Sequence, residues 1–223
     1  MARSKPRAPY VPPTITEAGL ALSPGLASML LEWASDDPFR SMLCGLGIGV
    51  ANGQPYLCAT DGHRLVRVPI AGSGLPCRIN AVWSADKVTR AIRLAKVDGT
   101  PTVTLAWSDV ESGAMFPPVD QVVPQPKIDG DAKPCAVNPA YLTDAGRIGA
   151  ALAKLTDDDG NVVAVIRTLS GALEPMRIDI LRSGYTLATL VIMPMRADVP
   201  HACVYEAPVA AKPTTTSKIK QAA

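Results

Sequence analysis

Residues 83–99, WSADKVTRAIRLAKVDG, carry a complete helix signal in one short run. Ser84 offers an N-cap oxygen, and Val88, Ala91, Ile92 and Ala95 recur at the spacing that puts them on one helix face. Gly99 stands just past the end, where a left-handed residue closes a helix. The same signal occurs twice more. In LSPGLASMLLEWA (22–34) the cap is Ser23, Pro24 takes the first helical position, and Leu26, Met29, Leu30 and Trp33 keep helical spacing. In VNPAYLTDAGRIGAALAKL (137–155) Asn138 caps, Pro139 follows, and Leu142, Ala145, Ile148 and Leu152 form the apolar positions. The three caps lie 61 and 54 residues apart.

Strand-like runs fill the intervals. MLCGLGIGVA (42–51), QPYLCAT (54–60) and HRLVRVPI (63–70) follow the first helix. PTVTLAW (101–107) and a weaker SGAMF (112–116) follow the second; NVVAVIRTL (161–169), PMRIDIL (175–181) and YTLATLVIMPM (185–195) follow the third. The pattern is a strand, a helix and a meander used three times, with the middle copy short of a strand. It predicts an α+β fold with helices on one face of antiparallel sheets. Asp61-Gly62, between two of the runs, predicts a tight hairpin turn.

The totals set the bounds. Hydrophobic residues are 48% and aromatics 4%, so the core must come from Leu, Val, Ile, Ala and Met. The net charge of +2 is too small to mark a nucleic-acid binder, and any such surface must arise from local placement. Five scattered cysteines (Cys44, Cys58, Cys77, Cys135, Cys203) form no C-x-x-C pair, which argues against disulfides and zinc and for a reducing, cytoplasmic setting. No apolar run approaches the ~18 residues of a membrane span, and no apolar core follows the basic start. Residues 1–15 read as a Pro-rich basic arm and 205–223 as a flexible tail, flanking folded segments 16–125 and 126–204.

Nothing marks a reaction centre. His63 is one of two histidines, the other being His201, and neither belongs to a metal-ligand or nucleophile motif. TDDDG (156–160) lacks the spacing and terminal Glu of a cation loop and reads as a turn. GLGIGVANG (45–53) precedes no helix, so it does not read as a phosphate cradle. The expectation is a protein without catalysis, cofactor or metal. Lys87, Arg90, Arg93 and Lys96 recur every third residue on the side of the second helix opposite Val88 and Ile92. Arg147 and Lys154 on the third helix are the other candidates for facing DNA phosphates. A solvated polar face fits these residues equally well.

Three separated stretches resemble one family. ATDGHRL (59–65), FPPVDQVVP (116–124) and LVIMPMRA (190–197) are similar, in that order, to signatures of the bacterial sliding clamp, the β subunit of DNA polymerase III. FRSMLCG (39–45) adds a fainter match. The resemblance implies a DNA-clamp fold of βαβββ units and a role as a replication processivity factor. It also implies an apolar pocket for the clamp-binding peptides of polymerases and repair proteins. Carried over by position, that pocket comprises Leu43, Thr60, Gly62, His63, Arg64, Leu65, Pro117, Val122, Val191, Met193, Pro194, Met195 and Arg196. Leu, Val and Pro suit aliphatic and aromatic anchors, methionines adapt to varied peptides, and His63 and Arg64 are expected at the rim as hydrogen-bond donors. The plainer alternative makes Val191, Met193 and Met195 ordinary core positions of a strand. Family members have three domains of two units and close into a ring around double-stranded DNA; about three units are countable here. The first two resemble a whole middle domain, and the third resembles half of the last. A homo-oligomer follows if a ring forms. The competing expectation is a non-encircling adaptor or competitor that binds the same peptides.

Overall fold

In the computed structural model of the chain the described residues are 12–71, 80–124, 137–155, 162–167 and 175–194. The predicted α+β class holds. Two short strands, β1 (Thr14–Ile15) and β2 (Gly19–Leu22), lead into helix α1 (Pro24–Leu31). Strands β3 (Gly45–Ala51), β4 (Gln54–Thr60) and β5 (Arg64–Pro69) form the first meander. Then come β6 (Val82–Ser84), α2 (Ala85–Asp98) and β7 (Val103–Ala106). Helix α3 (Pro139–Leu155) precedes the second meander, β8 (Val162–Arg167), β9 (Met176–Arg182) and β10 (Tyr185–Ile192). The expected arm therefore gives up its last residues to the fold: Thr14–Ile15 pairs with β2.

Local chemistry explains each helix. Ser23 accepts the Leu26 amide at 3.2 Å, and Asn138 Oδ1 accepts the Ala140 amide at 3.0 Å. Gly99 closes α2 at φ +66. Ser84 precedes α2 as expected, but its side chain makes no cap bond and is engaged with Glu111 instead.

The strands form a three-stranded sheet, β1-β2-β7, and a seven-stranded sheet, β6-β3-β4-β5-β10-β9-β8, antiparallel at every pairing. The strands that precede the first two helices are exchanged. β6, which leads into α2, pairs with β3 of the first meander, and β2, which leads into α1, pairs with β7. The second meander joins the first through β10 on β5, with Val191 opposite Leu65 and Thr189 opposite Arg67.

Alternation gives the large sheet two covered faces. Leu46, Ile48, Leu57, Ala59, Val66, Val68, Leu190 and Ile192 face the helices in the main core. Cys58, Leu65 and Val191 face the other way, into a smaller cluster with Phe116, Val119 and Val123 of the 114–124 segment. The expected weak strand SGAMF, which runs into that segment, does not form. Its alternation serves a different end: Phe116 is 1% exposed and packs against the sheet over Gly47. The glycines of β3 make this possible. A Cβ on Gly47 would stand 2.0 Å from the Phe116 ring, and one on Gly49 would stand 2.6 Å from Val119. Gly-rich GLGIGVANG is thus a bed for the crossing segment.

Further expectations are corrected. Met42 and Leu43 belong to a 3-10 turn, Pro38–Leu43, and not to the strand that follows, because Asp37 caps that turn through the Phe39 amide at 3.0 Å. Among the described residues the second unit has one strand after its helix where the others have three. Leu142, expected on the buried face of α3, is 39% exposed, whereas Ala145, Ile148 and Leu152 are buried.

Gly47→Ala should cost about 1–3 kcal/mol, the usual penalty for overpacking, because the added methyl meets a ring held on its far side. Urea unfolding measures it. A neutral result would mean that the 114–124 segment does not lie on β3.

Candidate functional site

Four stretches far apart in sequence meet where β5 and β10 join. Together they line a cavity of about 140 Å³. The 38–43 turn contributes Leu43, the β4–β5 hairpin Thr60, Gly62, Arg64 and Leu65, the crossing segment Pro117, Pro118, Val119 and Val122, and the end of β10 Val191 and Met193. Nine of these positions coincide with the expected set; Pro118 and Val119 are additional. Both sit within the FPPVDQVVP stretch and are apolar, which was the available signal. The His63 side chain is exposed and is not part of the lining. Pro194 follows the lining residue Met193 but does not line the cavity. Met195 and Arg196 lie outside the described residues, as do His201 and the TDDDG stretch expected as a turn.

The hairpin is held by its own side chains. Gly62 takes φ +92, and Asp61 Oδ1 accepts the amides of His63 at 2.8 Å and Arg64 at 2.9 Å. Thr60 Oγ1 donates to the Arg64 carbonyl at 2.7 Å and accepts the Gly62 amide at 3.1 Å. The Met193 amide donates to the His63 carbonyl at 2.8 Å, tying the end of β10 to the same turn.

Arg64 is not the free rim donor that the sequence suggests. Its Nε donates to Asp61 at 2.9 Å, its Nη2 to the Glu32 carbonyl at 2.8 Å, and its Nη1 to Asp144 of α3. The guanidinium also stacks on Trp33, 5.0 Å from the ring centre, and on Tyr141 at 5.3 Å. One side chain therefore bolts the hairpin to the end of α1 and to α3. With Thr60 and Arg64 both satisfied internally, the cavity wall offers a ligand apolar contact.

Behind the wall, Cys58 is fully buried, and burial pushes its thiol up to about 12. Farther along the same sheet face Arg67 stacks on Tyr56 at 4.5 Å; desolvation draws its pKa below the ordinary arginine value. Among the described residues no three His, Cys, Asp or Glu side chains converge as a metal site.

The cationic candidates lie on the helices, on the opposite side of the large sheet. Lys87 is engaged by the Asp109 carbonyl at 2.9 Å and by Glu111 at 3.0 Å. The lysine holds the Glu111 carboxyl below the usual range, helped by Ser84. Arg147 pairs with Asp144 at 3.2 Å. Arg90, Arg93, Lys96 and Lys154 are exposed.

No protein-family model matches the chain, and neither does any curated protein. Solved structures do. The fold is that of bacterial DNA polymerase III β sliding clamps. The chain is similar to the sliding clamp of Bartonella birtlesii, solved bound to griselimycin, with a TM-score of 0.51 and 18% identity over 85% of this chain and 68% of that one. It is also similar to the clamp of Bacillus subtilis, with a TM-score of 0.51 and 16% identity over 85% of this chain and 67% of that one. At these identities the likeness establishes the fold.

Replacing Arg64 by Met keeps the stem and removes the bolt. It should lower stability by about 2–4 kcal/mol, because Asp61 loses its cation and Asp144 keeps only the exposed Arg147. Asp144→Asn made on top of it should then cost little, a coupling that a double-mutant cycle in urea reads directly. Cys58 should resist a thiol reagent until the chain unfolds. Because its folded pKa lies above the ordinary 9.0, its contribution to stability is complete below pH 9.0 and fades as pH rises toward about 12.

Proposed function

We propose that this chain is a clamp-type docking protein that receives the linear clamp-binding peptides of polymerases and repair proteins in the cavity at the β5–β10 junction. The supporting observation is the convergence of four remote stretches on one apolar concavity. Leu65 and Val191 form its floor as a registered pair, Leu43 and Val122 its sides, and Met193 an adaptable edge. A leucine or phenylalanine anchor finds apolar partners on every side of such a cavity. Arg64 serves this role at one remove, holding the hairpin wall in place.

The helical face would meet duplex DNA without sequence preference through Arg90, Arg93, Lys96 and Lys154. The second reading is a docking protein that does not encircle DNA. It is favoured by the charge pattern: Lys87 and Arg147 are engaged by acidic neighbours, and the groove beside α2 that holds Lys87 and Arg90 also holds Asp98 and Asp109.

A labelled Gln-Leu-x-Leu-Phe peptide, titrated with the chain and followed by fluorescence anisotropy, tests the docking role. Micromolar binding, on the order of −8 kcal/mol, is expected, with loss in Met193→Asp and with a scrambled peptide. Absence of binding to the wild type would overturn the reading.

A further inference from the structure

Arg67 is a buried cation without an ion-pair partner among the described residues. It lies on the face of the large sheet that carries Cys58 and Leu65, flanked in register by Cys58 of β4 and Thr189 of β10. Only 8% of the residue is exposed. One face of its guanidinium rests on Tyr56, 4.5 Å from the ring centre, which leaves the edge of the group for hydrogen bonds. Nε on that edge is buried and has no hydrogen-bond partner. The nearby carboxylate is already engaged. Asp179 accepts Arg177 Nε on both oxygens, at 2.9 and 3.0 Å, and the Thr189 hydroxyl at 3.0 Å. Arg177 turns another donor to the Pro124 carbonyl at 3.0 Å. Two guanidinia and one carboxylate leave this cluster with a single uncompensated positive charge.

We infer that Arg67 anchors a binding site for a small carboxylate group. A buried charge is costly unless it is paired, and a bare buried donor calls for an acceptor. The form of the donor selects the ligand. Nε–H and the neighbouring Nη–H make a fork that matches the two oxygens of a carboxylate. A water molecule accepts the Nε hydrogen but leaves the charge uncompensated. Chloride offers one centre where the fork has two donors. A phosphate dianion exceeds the single positive charge and costs more to strip of its water. With so little of the residue open, the entering group must be about the size of acetate. That size fits a free small carboxylate or the end of an aspartate side chain, and the two share one chemistry. The site is two residues along β5 from Leu65 of the cavity floor and does not depend on the peptide-docking role.

Nitrogen–proton correlation spectra of the arginine side chains, recorded on the full wild-type chain, test the inference. The Arg67 Nε–H signal is assigned through its bonds to the Arg67 backbone, and sodium acetate then replaces sodium chloride at constant ionic strength. That signal should move downfield along a saturating curve with a midpoint of about 1–10 mM, the range open to so small a ligand. The Nε–H signals of Arg64 and Arg177, already bonded to Asp61 and Asp179, should hold still. Aspartic acid capped as its N-acetyl amide is the second probe. A shift with the capped aspartate shows that the site takes a carboxylate borne on a chain; a shift with acetate alone assigns it to a free small anion. Acetate at about 100 mM should also raise the melting temperature of the wild type by a few degrees over chloride. Arg67→Lys, which keeps the charge and lacks the fork, should lose most of that rise. An Arg67 signal unmoved by both probes would overturn the inference, and so would a drift shared by all three arginines or an equal rise in Arg67→Lys.

Discussion

The pairing of β5 with β10 is the constraint on which the rest of the molecule depends. Four residue pairs, from Arg64–Ile192 to Arg67–Thr189, turn two meanders into one sheet. The fixed two-residue alternation then decides everything on either side. On one face Val66, Leu190 and Ile192 join the helix-covered core; on the other Leu65 and Val191 become the floor of the cavity. A slip of one residue would turn Arg67 into the helix-covered core, carry Arg64 away from its partners at α1 and α3, and empty the cavity floor. The hairpin that precedes β5 guards against such a slip. Asp61 and Thr60 use their side chains on its backbone, and the Met193 amide reaches back to it from β10.

Arg64 carries that constraint into the helical layer. A cation with two aromatic faces and three acceptors around it is fixed in position, and so is the hairpin that bears it. Its partners come from α1, the hairpin and α3. The wall of the cavity is consequently built from satisfied groups, and its apolar character follows. The 114–124 segment closes the opposite side by lying on Gly47 and Gly49, which brings Pro117 and Val122 to the same opening. The site is therefore a product of the junction. Neither meander contains it alone.

What the sequence makes legible is what local chemistry encodes. Ser23, Asn138 and Gly99 announce helix ends within a turn of where they act, and QPYLCAT matches β4 residue for residue. Nine cavity positions could be named because they sit inside short, recognisable stretches. Apart from Met42 and Leu43, which a neighbouring Asp37 cap draws into a turn, the errors are non-local. Arg64 reads as a rim donor because Asp144 lies 80 residues away in sequence. The glycines of β3 read as a featureless rich run because their purpose is a phenylalanine in another segment. Leu142 reads as core because helical spacing assigns a face without saying whether anything covers it.

The central claim is that four remote stretches form one ligand surface. Methyl-resolved NMR of the full chain during addition of the Gln-Leu-x-Leu-Phe peptide tests it most directly. The methyls of Leu43, Leu65, Val122, Val191 and Met193 should shift together along one binding curve, while those of Leu142 and Ile166, on the far side of the third unit, hold still. Separate curves for these five methyls, or shifts centred on another part of the molecule, would contradict the account.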